Sequence, residues 1–184
     1  MIWTGVTDGV LSTEDVLGRV GADEDGAVLL FLGVVRDHND GRPVTGMEYE
    51  AYREMAEKVL EEIAVEVEKR WGTDRIVVLH RIGTLEIGEA SVAIAVSTPH
   101  RAEAYEASRY VIEEIKERLP VWKREHYEDG ELRWVPGRRP RVDAEASGLR
   151  AADERTGVSE PTSATRRPSP VGRPSPASSA GGAS

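Results

Sequence analysis

Apolar and polar positions along the first 137 residues follow the periods of both strands and helices. Residues 27–36 form a continuous apolar run, which is typical of a strand buried on both faces. Turn-forming residues 39–41 (Asn-Asp-Gly) follow, and apolar and polar positions then alternate as in a half-buried strand. The pattern predicts strands over residues 27–36, 45–52, 75–83, 90–98 and 130–135. Between the third and fourth of these, the sequence TLEIGE is predicted to form a turn.

Two segments show the period of an amphipathic helix. Over residues 53–71, one predicted face consists of Met55, Val59, Ile63, Val67 and Trp71. A second helix is predicted between Pro99 and Pro120, with Thr98 as a possible N-cap, because proline is favoured in a first turn and ends a helix. Its predicted inner side consists of Tyr105, Ser108, Ile112, Ile115 and Leu119.

The predicted order is β-β-α-β-β-α-β, without an internal repeat. This order indicates an α+β fold with antiparallel or mixed sheets and two main helices. Near residue 138 the composition changes to Ser, Pro, Ala, Gly and Arg, with almost no large apolar residues. Such a segment buries too little surface to offset the entropy of ordering. We therefore predict a folded domain over residues 1–137 and a low-complexity, disordered tail over residues 138–184.

The amino-acid composition excludes several classes of function. No apolar run approaches the roughly 20 residues of a membrane helix, and the N-terminus lacks the layout of a signal peptide. We therefore expect a cytoplasmic protein that does not contact membranes. The chain has no cysteine, which excludes disulfides and thiolate catalysis. The net charge of -9 argues against nonspecific nucleic-acid binding and makes any cluster of cations informative.

Cations occur at three places that could bind an anion. Arg36 ends the first apolar run and enters a loop, where ligand-binding residues are common. His100 and Arg101 fall in the predicted first turn of the second helix, where unpaired N–H groups attract anions. Lys116 and Lys123 lie on either side of the helix-ending proline. Each of these side chains, taken alone, is better explained as an ordinary surface charge.

The two lysines raise a more specific possibility. Lys116 borders the apolar stripe, so partial burial is expected, and burial lowers the pKa of a lysine. The pair Val121-Trp122 is expected to anchor the chain as it turns, which would bring Lys123 toward the same pocket. The four histidines show no metal-ligand spacing, so we predict neither a metal site nor a cofactor.

Four segments, taken in order, resemble the large catalytic subunit of molybdopterin synthase: GAVLLFLGVVRDHNDG, YEAYREMAEKVL, HRIGTLEIGEASVAIAVSTPHRAEAYEA and PVWKREHYEDGELRWV. The resemblance spans residues 26–135. It implies an α/β hammerhead-like fold and a homodimer at the core of a heterotetramer. It also implies a sulfurtransferase that converts cyclic pyranopterin monophosphate into molybdopterin. The sulfur would come from a thiocarboxylate on the C-terminal glycine of a small ubiquitin-like carrier subunit.

The resemblance also implies roles for particular residues. Lys116 and Lys123 match the two catalytic lysines of the family. The matching substrate-binding positions are Val34, Val35, Arg36, His100, Arg101, Arg124 and Glu125. The family often has lysine where this chain has Val34, so that position is expected to contribute its backbone.

Two other functions stay open on the sequence. A non-catalytic dimeric scaffold could use the same cations to bind a ubiquitin-like tail or an anionic metabolite. A phosphatase or cyclic phosphodiesterase could bind a similar phosphate. The lack of a metal-ligand pattern and of an obvious carboxylate pair disfavours this second alternative.

Overall fold

The computed structural model describes residues 1–135, and the predicted tail over residues 138–184 lies outside the described residues. Within residues 1–135 the chain forms nine strands and three helices. The strands are β1 (Ile2–Thr7), β2 (Ala27–Val34), β3 (His38–Asn39), β4 (Arg42–Ala51), β5 (Ile76–Arg81), β6 (Gly83–Glu86), β7 (Ala90–Thr98), β8 (Val121–Tyr127) and β9 (Leu132–Val135). The helices are α1 (Thr13–Leu17), α2 (Arg53–Trp71) and α3 (Arg101–Arg118).

A four-stranded mixed sheet carries the main core. Its strand order is β1-β5-β7-β2, with β1 parallel to β5 and the other pairs antiparallel. Successive strand residues point to opposite faces. Ile76 and Val78 therefore pack with the buried residues of α2 and α3, whereas Val77 and Leu79 pack with Val16 of α1.

A second, antiparallel sheet stands beside the first. Its order is β3-β4-β8-β9, and β6 also pairs with β4. Strand β4 leads directly into α2, and the end of α3 leads through Pro120 into β8. The two sheets and the C-terminal end of α3 therefore meet at one place. The predicted α+β class, with mixed and antiparallel sheets and two main helices, is confirmed.

Strand β2 is an edge strand, and the prediction that it is buried on both faces was wrong. Val28 and Val34 are half exposed, and the side chains between them are only partly buried. Within the described residues, β2 pairs with β7 on one side and has no neighbour on the other. An apolar run thus also occurs on an edge strand, whose outer side is available to another chain.

The two long helices form where predicted, but their buried faces are rotated relative to the predicted ones. In α2, the strict four-residue step of the predicted face drifts away from the 3.6-residue period of a helix, and Met55 is exposed. In α3, Tyr105 is exposed, whereas Ser108 and Ile115 are buried as predicted. The buried residues of α2 are Ala56, Leu60, Ile63, Ala64 and Val67, and those of α3 are Ala104, Ala107, Ser108, Val111 and Ile115.

Several local predictions need correction. Helix α3 begins at Arg101 with His100 as its N-cap, because the Thr98 hydroxyl donates to the His100 carbonyl and does not cap the helix. Half of the predicted turn TLEIGE belongs to β6. Strands β1, β3 and β8 and helix α1 were not predicted. None of the helices in residues 1–135 is both long and apolar enough to cross a membrane.

Candidate functional site

A cavity of about 710 Å³ opens where the end of α3 meets both sheets. Three of the predicted cations line it: Arg36 just beyond β2, Lys116 in the last turn of α3, and Lys123 in β8. Arg36 is far in sequence from the two lysines, whereas Lys116 and Lys123 lie on consecutive elements. Their convergence is a property of the fold and does not follow from any one motif.

Arg36 and Lys116 are exposed at this cavity, so the expected partial burial of Lys116 was wrong for the single chain. Lys116 lies between buried Ile115 and the end of the helix, and its side chain extends past the apolar stripe. Within residues 1–135, neither Arg36 nor Lys116 forms an ion pair with an acidic side chain. The cavity is therefore a local positive region in an acidic protein, which favours an anionic ligand.

Lys123 is held by a buried carboxylate. Its Nζ lies 3.4 Å from Oε1 of Glu125, whose side chain is 1% exposed. The other carboxylate oxygen accepts hydrogen bonds from Tyr127 Oη at 2.6 Å and Asn39 Nδ2 at 2.9 Å. Burial by itself raises the pKa of Glu125, but these bonds and the charge of Lys123 outweigh it and lower the pKa. Glu125 is thus an ionised group that orients the Lys123 ammonium.

The remaining wall of the cavity is apolar or neutral. Aliphatic side chains from α3, β7 and β8 line it, together with Phe31. Three neutral polar side chains, Tyr49, His80 and Ser91, also line it, and sequence reasoning did not select them. The pairing of β4 with β8 places Tyr49 opposite Lys123, and this register could not be predicted because β8 itself was not.

Val34 lines the cavity, whereas its neighbour Val35 is buried away from it. The Val35 N–H donates to the Glu89 carbonyl at 3.0 Å, and its carbonyl accepts from the Gly88 N–H at 2.8 Å. These bonds anchor the chain after β2 to the turn before β7. Val35 therefore supports the geometry of the neighbouring Arg36.

Arg124 does not reach the cavity. It is adjacent to Lys123 on β8, so its side chain lies on the opposite face of the sheet. There its Nε donates to Glu48 at 2.9 Å, and its guanidinium lies 5.1 Å from the ring centre of Trp134. Trp122 is on the same outer face and is half exposed, so the expected anchoring of the chain by this residue was wrong.

His100 and Arg101 also lie away from the cavity. They are exposed at the start of α3, whereas Lys116 is fifteen residues further along the same helix. At 1.5 Å per residue, this separation is about 22 Å along the helix axis. Within one chain, the predicted substrate-binding residues therefore do not form a single site.

The comparisons with known proteins agree on one family. Residues 6–118 match the family model described as MoaE protein. The chain belongs to the MoaE family. A molybdopterin synthase catalytic subunit from Halalkalibacterium halodurans is 51% identical over 122 residues, which are 66% of this chain and 78% of that protein. The corresponding protein of Bacillus subtilis is 45% identical over 130 residues, or 71% of this chain and 82% of that one.

Solved structures support the same assignment. The crystal structure of molybdopterin synthase from Staphylococcus aureus has a TM-score of 0.68 and 40% sequence identity, covering 72% of this chain and 96% of that chain. As a member of the MoaE family, the protein is an enzyme of molybdenum cofactor biosynthesis. The family model ends at residue 118, so the link between Lys123 and this site comes from the geometry of β8.

Proposed function

We propose that the protein is the catalytic subunit of a molybdopterin synthase, a cytoplasmic sulfurtransferase that acts on cyclic pyranopterin monophosphate. The observation that carries this proposal is the convergence of Arg36, Lys116 and Lys123 on one cavity. Both proposed reactants are anionic, one through its cyclic phosphate and the other through a thiocarboxylate. Two lysines and an arginine provide the charge-assisted hydrogen bonds that such groups require.

In the proposed reaction, the carrier thiocarboxylate attacks an oxygen-bearing side-chain carbon of the pterin. A carbon–sulfur bond forms as a carbon–oxygen bond at that carbon breaks, and the departing oxygen takes up a proton. Lys116 acts as general acid or base, or stabilises developing negative charge. Lys123, oriented by Glu125, stabilises charge or positions the thiocarboxylate. Water then hydrolyses the bond between sulfur and the carrier carbonyl, which releases the carrier with a carboxylate. A second loaded carrier supplies the second sulfur.

The proposal includes a small ubiquitin-like carrier subunit as the sulfur donor. The chain has no cysteine, so the transferred sulfur has to arrive on another molecule. The relatives are called catalytic subunits, which agrees with a separate subunit that supplies the sulfur. Val34, an apolar residue of the cavity lining that is half exposed, is available for contact with an extended tail.

We further propose that two copies of the chain assemble through the outer edge of β2. Strand β2 begins beside the start of α3, where the Gly26 N–H donates to the Pro99 carbonyl at 3.2 Å, and it ends at the cavity. A twofold axis near the middle of β2 would pair the two strands in antiparallel orientation. It would also bring His100 and Arg101 of one copy to the cavity of the other, where they complete the anion site.

A groove along α3 supports this assembly. Its volume is about 480 Å³, and β2 contributes Leu29, Leu30 and Phe31 to its wall. Tyr105, which is 62% exposed, lies on the α3 side of the same groove. Apolar side chains at an open sheet edge favour burial against a second copy.

The central prediction concerns Lys116. With thiocarboxylated carrier and cyclic pyranopterin monophosphate, we expect Lys116→Ala to lower the rate of dithiolene formation about 100-fold or more, as for loss of an acid–base group. Folding and carrier binding should remain, because the Lys116 side chain is exposed. Lys58→Ala is the matched control, since Lys58 is an exposed lysine on α2 outside the cavity.

Three outcomes would contradict the proposal. A near wild-type rate for Lys116→Ala would remove this lysine from catalysis. Release of phosphate without sulfur incorporation would indicate a phosphatase. Tight carrier binding by the wild-type protein without any product would favour the non-catalytic scaffold.

A further inference from the structure

His80 is a buried histidine at the junction of the two sheets, and it also lines the cavity. It lies near the end of β5, paired with Val6 of β1 and Val92 of β7. In β5 the side chains of Ile76 and Val78 face α2 and α3, and His80 continues this alternation. Its ring therefore lies on the same side of the sheet, at the end where β4 approaches. The Tyr49 ring packs edge-on against it, with ring centres 5.3 Å apart.

The hydrogen bonding of the ring determines its tautomer. His80 Nδ1 lies 2.9 Å from the Arg81 carbonyl, which can only accept a hydrogen bond. In the neutral ring, Nδ1 therefore carries the proton and Nε2 has a lone pair. Within the described residues, the Arg81 carbonyl is the hydrogen-bond partner of this ring, so Nε2 is the nitrogen left for a ligand.

The surroundings keep this part of the cavity neutral. Burial lowers the pKa of His80 to about 4, and the bond to Arg81 only partly opposes this effect. Burial also raises the pKa of Tyr49, with a smaller opposite effect from the neighbouring Ser91 hydroxyl. The cavity thus combines cations at Arg36, Lys116 and Lys123 with a neutral floor. Adding a fourth positive charge beside those cations would be unfavourable.

A purely structural role explains the hydrogen bond at Nδ1 of His80, but it does not explain the acceptor nitrogen Nε2. An asparagine could donate to the Arg81 carbonyl equally well, and an aliphatic residue would pack against Val6 and Val92. The neutral acceptor nitrogen is needed only if something in the cavity donates to it. Within residues 1–135 no side chain donates a hydrogen bond to Nε2, so the donor has to come from a ligand.

We propose that His80 Nε2 is a ligand-binding acceptor for an N–H group located next to the anionic group held by the lysines. This inference rests on the proposed function, in which two ligands enter the cavity. Both contain such a group: the peptide N–H of the carrier's terminal glycine and the ring N–H groups of the pterin. Tyr49, opposite Lys123 and beside His80, forms the wall between the cationic and neutral parts.

The test compares two replacements of His80, one that imitates Nδ1 and one that imitates Nε2. His80→Asn retains an N–H near Nδ1 and removes Nε2, so the Michaelis constant of one substrate should rise about 3- to 10-fold, as for one neutral hydrogen bond. The turnover number and Tm should change little. His80→Gln extends an amide toward the Nε2 position and should restore most of the affinity. The substrate whose Michaelis constant rises identifies the N–H donor as carrier or pterin.

His126→Asn is the matched control, because His126 lies on β8 on the face opposite Lys123 and does not line the cavity. Unchanged Michaelis constants for both substrates in His80→Asn, with normal product formation by the wild type, would overturn the inference and leave the proposed function intact. A fall in Tm and turnover that His80→Gln does not restore would also overturn it, since that result indicates a structural role.

A measurement on the unmodified protein covers the case in which His80 variants do not fold. In ¹⁵N-labelled wild-type protein, long-range ¹H–¹⁵N spectra should show His80 protonated at Nδ1. The Nε2 resonance should shift when carrier or cyclic pyranopterin monophosphate binds. Protonation at Nε2, or binding of both ligands without a shift, would overturn the inference. A wild-type protein that forms no product would instead refute the proposed function.

Discussion

The buried carboxylate of Glu125 is the group that most directly controls the position of Lys123. One oxygen faces the lysine ammonium, and the other accepts from Tyr127 and Asn39. Because all three donors are satisfied by one ionised group, Glu125 acts as a support for the lysine. This explains how a residue adjacent to the cavity contributes to the chemistry without lining it.

Replacing Glu125 by glutamine separates its charge from its shape. The amide oxygen can still accept from Tyr127 and Asn39, which leaves the amide nitrogen facing Lys123. Two donors then oppose each other, so we expect the rate of dithiolene formation to fall about 10-fold through loss of positioning. Steady-state kinetics with both substrates measures the change. Glu131→Gln, an exposed carboxylate paired with Arg42 on the same sheet, is the control. Equal rates for Glu125→Gln and the wild type would show that Lys123 needs no orientation.

At the residue scale, the sequence showed which kinds of side chain the site uses more reliably than which way those side chains point. Arg36, Lys116 and Lys123, which were chosen from the sequence, line one cavity. Arg124 was grouped with Lys123 on the family resemblance, but adjacent strand residues point to opposite faces. His80 was considered only as a metal ligand, because its place at the junction of two sheets depends on long-range pairing.

At the scale of elements, the start of β2 is tied to two neighbouring strands by one ion pair. The Asp25 carboxylate accepts two hydrogen bonds from Arg75, at 2.5 and 2.7 Å, and one from the Ser97 hydroxyl at 2.5 Å. Arg75 precedes β5, and Ser97 lies near the end of β7. This cluster therefore fixes the end of the sheet next to the start of α3.

The Asp25 cluster predicts a pH-dependent stability. The hydrogen bond from Arg75, more than the opposing burial, holds the pKa of Asp25 below its usual 3.8. A carboxyl group with a lowered pKa in the folded state stabilises the fold above its unfolded pKa, and this stabilisation is lost as pH falls through the folded value. We expect Asp25→Asn to lower the unfolding free energy at pH 7 by about 2 kcal/mol, as for hydrogen bonds to a charged group.

Urea denaturation at several pH values measures this effect. The difference between wild type and Asp25→Asn should shrink as the pH falls below about 4. Asp129→Asn is the control, because Asp129 pairs with Arg42 at an exposed site and should contribute little. A difference that does not depend on pH would show that the cluster stabilises through packing alone.

Secondary-structure elements could be predicted where the segment was long and its hydrophobic periodicity was regular. The bounds of α2 were predicted correctly, because nineteen residues provide several turns of periodic signal. Short elements such as β3 and β6 could not be predicted, since a two- or four-residue strand exists only through pairing with β4. The apolar run of β2 was misread as a buried strand because an edge strand can have the same composition.

At the scale of the whole molecule, the separation between the start and the end of α3 predicts a site made from two chains. The chain with Arg101→Ala and the chain with Lys116→Ala should each be inactive alone. After mixing and subunit exchange, half of the dimers contain one chain of each kind, and one of the two sites in such a dimer is intact. We therefore expect recovery of about a quarter of wild-type activity.

The control for this mixing experiment uses two variants of the same cavity. Lys116→Ala mixed with Lys123→Ala should recover no activity, because both lysines belong to one chain's cavity. Recovery by this second pair, or its absence in the first, would contradict assembly through the β2 edge. Sedimentation would establish that the mixed species are dimers.

The sequence by itself determined the fold class, the positions of the two long helices and the chemical character of the site. These properties depend on local periodicity and on residue type, which are present in any stretch of chain. Only the tertiary structure decided which cations share a cavity, which faces of α2 and α3 are buried and that β2 is an edge. It also brought Tyr49 and His80 to the neutral floor. Those properties depend on pairing between distant segments, because a strand or helix end acquires its neighbours only when the sheets assemble.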